Sequence, residues 1–361
     1  MAQKKILVVG SGGMVGRSAM THFAALDGCE AVGMARRPAV TATEGMRFIA
    51  ADLRNRDGLV EVLRGEGRFD QVLYAALYEE ADIVSGWSSS KQIAINREML
   101  ANLLDAFEQA GTEFGHLTLI QGGKAYGVQF SPPKLPSRER DAPFFAPNFY
   151  FAQQDLIEER SAKADWTYTV LRPQVLCGVA LGNPMNTVAG LGVYAAICRE
   201  LGQPLRFPGG VPCFQQATDA RLLARAIQWA GSEPRAAGEV YNIANGDIFS
   251  WQFIWPVIAK EFGVEPGVHQ PFPMATVMPD LAPTWERIVQ KHGLAVGWDQ
   301  VCPSWQFMDF VFRHGSMAPH HSLLSTVKAR QHGFHDCIDT EDMYRELFGE
   351  MKARKWLPDF G

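Results

Sequence analysis

Short apolar runs alternate with amphipathic stretches through the first half of the chain. The amphipathic stretches include Ile95–Ala110 and Asp155–Ala164, where apolar positions recur at helical spacing. The apolar runs are rich in Val, Ile and Leu on both faces, which is typical of strands covered by helices on both sides. They are Ile6–Val9, Ala31–Ala35, Arg47–Ala51, Gln71–Ala75, Leu117–Gln121 and Tyr168–Leu171. This alternation predicts an α/β fold of the Rossmann type, with a doubly wound parallel sheet.

The pattern changes after Pro173. Gly, Pro and aromatic residues become frequent, and the helices predicted over Thr187–Leu201 and Ala220–Ala230 are separated by irregular stretches. One apolar run, GEVYNIANG at residues 238–246, predicts a strand that returns to the main sheet. The second half is therefore expected to be smaller and mostly helical, apart from that strand.

Composition excludes several classes of protein. Of the 361 residues, 47% are hydrophobic and 20% are charged, which is ordinary for a globular domain. The net charge of −5 argues against nucleic acid as a partner. No apolar run approaches the ~18 residues of a membrane span, and MAQKK leads directly into a strand, which leaves no room for a signal peptide. Six cysteines without CxxC spacing indicate reduced thiols and a cytoplasmic location. The oligomeric state stays open, with a homodimer among the options.

A glycine-rich turn follows the first predicted strand. GSGGMVG places Gly10, Gly13 and Gly16 in GxxGxxG spacing at the start of a helix. The first glycine allows a tight turn, the second lets the backbone approach a pyrophosphate, and the third permits close helix–strand contact. The helix N-terminus favours the anionic phosphates. The motif predicts a dinucleotide site, and we assign residues 1–180 to the NADP(H)-binding Rossmann domain, joined by the returning strand.

The end of the second predicted strand indicates which dinucleotide binds. NAD-specific sites usually carry an acidic residue there, whereas this chain has Arg36 and Arg37. Arginines can pair with the 2′-phosphate through charge-assisted bonds, so the cofactor is predicted to be NADPH/NADP+. Asp52 follows the third strand, where its side chain could reach the adenine amino group.

The tyrosine and lysine of short-chain dehydrogenases are not found at their usual spacing. These enzymes normally carry both on one helix, four residues apart, yet none of the eight tyrosines here has a lysine four residues later. Lys124 in QGGKAYG and Tyr150 in NFYF stand 26 positions apart. Either the chemistry is lost, or different segments bring these two groups together above the carboxyl ends of the strands.

Several long motifs resemble one family. LTLIQGGKAYGVQF, NFYFAQQDLIEE and AVGMARRP, with VYAAICRELGQPLRFPG and VYNIANGDIFSWQFIWP further on, are similar to the progesterone 5β-reductase and iridoid synthase-like family. These are NADPH-dependent enone reductases among the atypical short-chain dehydrogenases. The resemblance implies that Lys124 and Tyr150 are the catalytic pair. Phe151 and the Gln154–Asp155 pair depart from the family pattern, and no serine or threonine stands just before Lys124.

The resemblance also implies a set of roles. A phenol aimed at the carbonyl oxygen of an enone would stabilise the enolate, and a nearby ammonium is expected to lower the phenol's pKa and to hold the cofactor's ribose. The expected cofactor contacts are Gly10, Gly12, Gly13, Met14, Val15, Gly16, Arg36, Arg37, Asp52, Leu53, Ala75, Ala76, Gln121, Lys124, Tyr150, Arg172 and Pro173. The expected substrate-pocket residues are Tyr126, Phe130, Trp305 and Phe310.

Residues 181–361 form the expected substrate-binding part and lid. The segment from about Trp251 to Phe312 is dense in Trp and Phe, which suits the wall of a site for a small apolar carbonyl compound. Simple core packing is the alternative. The histidines of HGFHDC have HxxH spacing, but nothing indicates four converging ligands, so no metal is expected.

Three functions follow from these observations. The first is an NADPH-dependent reductase of an activated C=C bond. The second keeps the cofactor but reduces a carbonyl, or epimerises or dehydrates a nucleotide sugar as extended short-chain enzymes do. The third is a regulator that senses NADP(H) without catalysis. The missing YxxxK pattern counts against the sugar enzymes, and the retained lysine and tyrosine count against the sensor.

Overall fold

A parallel sheet of seven strands forms the centre of the molecule. The computed structural model describes residues 3–37 and 45–360. The strands of the described residues, including β7, β8, β9 and β11, which lie outside this sheet, are β1 Lys4–Val9, β2 Cys29–Ala35, β3 Met46–Ala50, β4 Phe69–Tyr74, β5 Phe114–Ile120, β6 Thr167–Pro173, β7 Val175–Cys177, β8 Phe214–Gln215, β9 Ala217–Asp219, β10 Glu239–Ile243 and β11 Phe249–Ser250. The order in the large sheet is β10-β6-β5-β4-β1-β2-β3, and every neighbouring pair in it is parallel. The predicted Rossmann fold is confirmed.

Helices cover both faces of this sheet. The helices of the described residues, including those of the C-terminal part, are α1 Met14–Ala24, α2 Arg56–Leu63, α3 Ile83–Gly86, α4 Ser90–Ala110, α5 Phe149–Ser161, α6 Thr187–Glu200, α7 Ala220–Ala230, α8 Trp251–Glu261, α9 Met274–Val277, α10 Ala282–His292, α11 Trp298–Val301, α12 Gln306–Val311, α13 Val327–Gln331 and α14 Thr340–Ala353. Helices α1 and α7 pack together on one face, and α2, α4 and α5 pack on the other. The buried faces explain why the strands are apolar on both sides.

Two helices begin earlier than the sequence predicts, because a side chain caps each N-terminus. Helix α4 begins at Ser90 rather than Ile95, because the Ser89 side chain accepts a hydrogen bond from the Gln92 backbone N–H. Helix α5 begins at Phe149 rather than Asp155, because Asn148 caps it in the same way. This earlier start puts Tyr150 in the first turn of the helix.

The C-terminal part has its own apolar core. Trp251, Trp255 and Trp285 are buried there, together with residues of α6 and α14. Most aromatic residues of the 251–312 segment therefore serve core packing rather than a ligand site, and helix α12 is the exception described below. Among the described residues, no helix is both long and apolar enough to cross a membrane.

Candidate active site

A cavity of about 790 Å³ opens at the carboxyl ends of the parallel strands. It runs from the turn between β1 and α1, past the ends of β2, β4, β5 and β6, to helix α12. The turn lies where the strand order reverses between β1 and β4, which is the usual ligand position in open α/β sheets. The two ends of the cavity differ in chemistry.

The glycine-rich turn forms one end. Gly10 has a φ of +90°, and a Cβ atom on it would lie 2.7 Å from the Ala76 backbone nitrogen. A Cβ on Gly16 would overlap the Gly10 carbonyl oxygen, so this glycine allows helix α1 to pack against the turn. Gly16 does not line the cavity. Gly12 has no heavy atom within 4 Å of an added Cβ, and for Gly13 the nearest is 3.5 Å away. The protein thus leaves space in front of the N-terminus of α1.

Strand ends supply the remaining lining at this end. Arg36 and Arg37 follow β2 with exposed side chains at the cavity rim. Asp52 and Leu53 follow β3, and the Asp52 carboxylate accepts a hydrogen bond from the Arg54 backbone N–H at 2.9 Å. The other predicted residues that line this end are Met14, Val15, Ala75 and Ala76.

Asn148 brings the separated lysine and tyrosine together. Lys124 lies on a short 3₁₀ turn, Gly123–Tyr126, directly after β5, whereas Tyr150 is on α5. The Asn148 side chain donates to the Lys124 carbonyl oxygen at 3.2 Å and accepts from the Tyr150 backbone N–H at 3.0 Å. One amide therefore ties the two segments, and the Lys124 Nζ lies 5.4 Å from the centre of the Tyr150 ring.

The Tyr150 hydroxyl lies at the end of β5. A Cβ atom added to Gly122 would be 3.2 Å from the hydroxyl oxygen and 3.4 Å from the Pro173 carbonyl oxygen. Both Tyr150 and Pro173 line the cavity. Within the described ranges, no protein group forms a hydrogen bond with this hydroxyl, so it is available to a ligand.

Aromatic rings and one carboxylate surround Lys124. Its Nζ lies 4.3 Å from the centre of the Trp87 ring and 5.5 Å from that of Phe149. The Trp87 indole N–H donates to the Glu79 carboxylate at 3.2 Å. Burial lowers the pKa of Lys124 to about 8, although the negative charge of Glu79 acts in the opposite direction. Burial likewise raises the pKa of Glu79, against the effects of Lys124 and Trp87.

The expected lowering of the Tyr150 pKa is wrong for this structure. Burial raises the pKa of the phenol, the Glu79 charge raises it further, and Arg172 lowers it in part. Removing a phenolate from water outweighs the nearby positive charge. Tyr150 is therefore a protonated hydrogen-bond donor at neutral pH, not a phenolate.

Arg172 lies behind the cavity wall rather than in it. Its Nε donates to the Gln121 side chain at 2.8 Å, and its Nη1 donates to the Tyr126 hydroxyl at 3.3 Å. Gln121 does line the cavity, and its Nε2 donates to the Tyr150 carbonyl oxygen at 3.0 Å. The predicted cofactor contact at Arg172 is thus replaced by a supporting network, which also includes Gln154.

The other end of the cavity is formed largely by helix α12 and the segment after it. Phe310 lines it as expected, with Phe307, Val311 and Arg313. The other three predicted pocket residues lie elsewhere. Tyr126 turns its hydroxyl to Asn242 at 2.7 Å, Phe130 stacks on Phe144 at the surface, and Trp305 is buried against Trp298.

Comparison with known proteins decides the family. The sequence matches the PRISE-like Rossmann-fold domain over residues 70–358. It is 30% identical to (S)-8-oxocitronellyl enol synthase from Camptotheca acuminata, over 99% of this chain and 94% of that protein. The identity to the enol synthase from Nepeta racemosa is also 30%, over 98% of this chain and 92% of that one. The chain belongs to the PRISE-like family. The resemblance to progesterone 5β-reductases and iridoid synthases is confirmed.

Membership of the PRISE-like family makes this chain an NAD(P)-dependent oxidoreductase of the short-chain dehydrogenase/reductase superfamily. Solved structures agree on the fold. UDP-glucose 4-epimerase from Thermotoga maritima superimposes with a TM-score of 0.68 at 15% identity, over 97% of this chain and 99% of that one. The NAD complex of the Thermus thermophilus epimerase gives 0.65 at 18% identity, over 97% and 99%.

Several residues that line the cavity were not predicted from the sequence. Glu79 and Trp87 lie between β4 and α4, and no motif singled them out. Phe149 stands beside the tyrosine in NFYF, so its position was a usable signal. Gln174 directly follows β6, where a strand-end rule could also have found it. Among the residues described, no group of three or more His, Cys, Asp or Glu side chains could hold a metal ion.

Proposed function

We propose that this PRISE-like protein is an NADPH-dependent reductase of an activated C=C bond in an enone or enal. The observation that supports this most is the meeting of the Tyr150 hydroxyl and the Lys124 side chain in one cavity. That cavity joins a phosphate-binding type of turn to a wall with aromatic side chains. The names of the relatives, (S)-8-oxocitronellyl enol synthases, point to chemistry that passes through an enol.

The cofactor end fits a dinucleotide. The space in front of Gly12 and Gly13 lies at the N-terminus of α1, where backbone N–H groups and the helix dipole favour a pyrophosphate. Arg36 and Arg37 would hold the 2′-phosphate, and Asp52 would lie near the adenine. NADPH, when bound, supplies the hydride for the reduction.

Tyr150 would donate a hydrogen bond to the carbonyl oxygen of the substrate. Negative charge develops on that oxygen as the β-carbon is reduced, so the donor stabilises the transition state more than the ground state. Burial keeps the phenol protonated, as this role requires. Lys124 would add positive charge beside the same oxygen and hold the ribose, while Asn148 fixes the distance between the two segments.

A panel of enones, enals, ketones and saturated aldehydes tests the proposal. NADPH oxidation is followed by absorbance, and products are identified by mass spectrometry and NMR. We expect saturated carbonyl products from enones and little turnover of saturated ketones. Alcohol products from retained C=C bonds would instead establish the carbonyl reductase. No NADPH oxidation with any compound, despite tight NADPH binding, would favour the sensor.

The cofactor preference depends on Arg36 and Arg37. Replacing both with alanine removes their charge-assisted bonds to the 2′-phosphate, at a cost of about 1.5–3 kcal/mol or roughly 10- to 150-fold in NADPH affinity. NADH affinity should hardly change, because NADH has no such phosphate. Titration of both cofactors into both proteins measures this. The control replaces Arg64 and Arg68, two exposed arginines outside the cavity, with alanine. Equal losses of NADPH and NADH would show that Arg36 and Arg37 support structure instead.

The lowered pKa of Lys124 predicts that kcat/KM for NADPH falls at alkaline pH. Because its pKa in the free protein is lowered to about 8, the side chain is charged below that pH and neutral above it. We expect kcat/KM for NADPH to fall as pH rises through about 8, approaching a tenfold loss per pH unit if the charge is essential. A pH profile at saturating enone measures this.

Two variants identify the group responsible for that limit. Glu79→Gln removes the carboxylate that raises the pKa of Lys124, so the midpoint should move to lower pH. Glu80→Gln, whose carboxylate pairs with the exposed Lys91 at 3.1 Å, is the matched control and should leave it in place. If Lys124→Met kept the same alkaline limb, a different group would have to titrate there.

A further inference from the structure

Arg313 is a buried arginine in the cavity wall. It follows helix α12, and only 8% of the residue is exposed. Its guanidinium lies 4.7 Å from the centre of the Phe310 ring, which also lines the cavity. The stack on Phe310 keeps the guanidinium beside the end of the cavity opposite the glycine-rich turn.

No carboxylate of the described chain forms an ion pair with Arg313. Among the described residues, the guanidinium has one hydrogen-bond partner, the Val128 carbonyl oxygen at 3.3 Å from Nη1, and its buried Nε has none. Asp309, one turn earlier, instead accepts from the backbone N–H groups of Met274 and Ala275 at 2.7 and 3.0 Å. A buried cation without a counter-ion is costly, and the single neutral acceptor compensates only in part.

The ionisable neighbours of Arg313 do not neutralise it. Burial lowers the pKa of Arg313 to about 10, although the nearby Cys213 acts in the opposite direction, so the side chain stays charged at neutral pH. His320 is nearby, and burial together with the Arg313 charge lowers the pKa of that imidazole to about 4. The histidine is therefore neutral at pH 7, and a positive charge remains unmatched in the wall.

The backbone at Arg313 is also unfavourable. Its φ is +56°, in the left-handed region that favours glycine, directly after the C-cap residue Phe312 of α12. A non-glycine residue in this region costs of order 1 kcal/mol or more. Glycine would suit the backbone better, and a neutral side chain would suit burial better. The stack on Phe310 and the single hydrogen bond to Val128 are the protein contacts of this guanidinium among the described residues, and neither requires a charged side chain.

Other polar groups lie in the same part of the wall. Gln215 donates to the Val311 carbonyl oxygen at 2.9 Å, whereas its buried side-chain oxygen has no hydrogen-bond partner in the described part of the chain. Ser322 and Gln174 line the cavity beside it and bond to each other. Together with Arg313 they make one polar region in a wall that also includes the apolar side chains of Phe307, Phe310 and Val311.

We propose that Arg313 is a specificity-determining residue that binds a carboxylate of the substrate, at a distance from its reacting C=C bond. The proposal deepens the proposed reductase function and rests on it. The Nε is closed off from solvent, but Nη2 has no hydrogen-bond partner among the described residues and is not buried in this way, so it can donate to a carboxylate oxygen of a ligand in the cavity. One arginine in this part of the wall suits a single negative charge better than a doubly charged phosphate. The substrate class is thus an unsaturated oxo acid with an apolar spacer.

Matched substrates test this proposal. A chain-length series of 2-enals with a terminal carboxylate is compared with the corresponding methyl esters, using wild type and Arg313→Met. We expect wild type to prefer an acid over its ester, and the variant to lose roughly 10- to 150-fold in kcat/KM for that acid. The ester should change less than threefold. Arg313→Lys keeps the charge but on a shorter side chain without the planar guanidinium, and should recover part of the loss.

Control measurements separate recognition from structure. Arg199 also stacks on an aromatic ring, 4.7 Å from the centre of Phe360, but it lies outside the cavity. Arg199→Met should leave the acid-to-ester ratio unchanged. Arg313→Met should not lower Tm, because it removes an unpaired buried charge. Equal losses for acid and ester, no loss for either, or a fall in Tm that accounts for the loss would overturn the proposal.

A binding measurement distinguishes failure of this proposal from failure of the reductase function. If wild type reduces neither acids nor esters, the proposed reductase function is wrong for these compounds. Calorimetric titration of the saturated oxo acid and its ester into the NADP+-loaded protein then tests Arg313 without turnover. Preferential binding of the acid that Arg313→Met abolishes would support the carboxylate site. Equal binding of acid and ester would refute it.

Discussion

Tyr150→Phe is expected to lower turnover of an enone by roughly 10²- to 10³-fold, because it removes one oxyanion-type hydrogen bond worth about 2.7–4 kcal/mol. NADPH affinity should change little, since the ring and its contacts remain. The hydroxyl lies at the Gly122 backbone in the cavity and has no protein partner in the described ranges, so the variant leaves no buried group unsatisfied. Steady-state kinetics and NADPH titration on the same preparation measure both quantities.

Tyr194→Phe is the matched control for this variant. Tyr194 is a buried tyrosine of α6, and its hydroxyl donates to the Arg206 carbonyl oxygen at 2.9 Å, outside the cavity. Its loss should cost about 1 kcal/mol of stability and leave turnover unchanged. Full activity of Tyr150→Phe on every accepted substrate would remove the phenol from the mechanism. Catalysis would then rest on positioning of the hydride donor and the enone.

Lys124→Met extends the same prediction. It should lower turnover and also weaken NADPH binding if the lysine holds the ribose. The double variant with Tyr150→Phe should lose less than the sum of the two effects, because both groups act on one oxygen and one cofactor. Strict additivity would mean that the two residues act independently.

Gly13→Val is expected to abolish dinucleotide binding while the fold persists. Gly13 has a φ of −78°, which any residue adopts, and an added Cβ would lie 3.5 Å from its nearest protein neighbour. The valine side chain would instead fill the space in front of α1 where the pyrophosphate is expected. Circular dichroism, thermal unfolding and NADPH titration of one sample measure both outcomes.

Two other glycines separate ligand space from packing. Gly16→Ala would drive a Cβ into the Gly10 carbonyl oxygen, so it should lower Tm as well as affinity. Gly349→Val, at an exposed site in α14 with open space around it, should leave affinity unchanged. Tight NADPH binding by Gly13→Val would mean that the pyrophosphate lies elsewhere.

The sheet could be predicted from the sequence because a strand buried on both faces must be apolar throughout. A second rule, that ligands bind at the carboxyl ends of parallel strands, located most of the residues at the glycine-rich end of the cavity, since Gly10, Arg36, Asp52 and Ala75 lie at or just after strand ends. Parallel strands bring their carboxyl ends to one edge, so sequence position alone locates these residues.

The far end of the cavity could not be predicted in this way. There, side-chain direction depends on partners that are distant in sequence. Tyr126 follows the lysine closely, yet it turns away to Asn242, 116 residues later. Arg313 lies in the cavity wall with a φ of +56°, a backbone conformation that no sequence pattern predicts for an arginine. Glu79 and Trp87 lie on the connection between β4 and α4, whose single-turn helix α3 is too short to produce a helical pattern in the sequence.

The Asn148 link has a consequence for dividing the chain. In enzymes with the usual spacing, one helix carries both the tyrosine and the lysine, so no cut can separate them without destroying that helix. Here the exposed connection around Phe145, whose side chain is 99% exposed, lies between the two. A break there would put the lysine on one fragment and the tyrosine on the other. If Lys124 and Tyr150 act together as proposed, turnover would require the two fragments to associate, and the rate would report how many fragment pairs have reassembled.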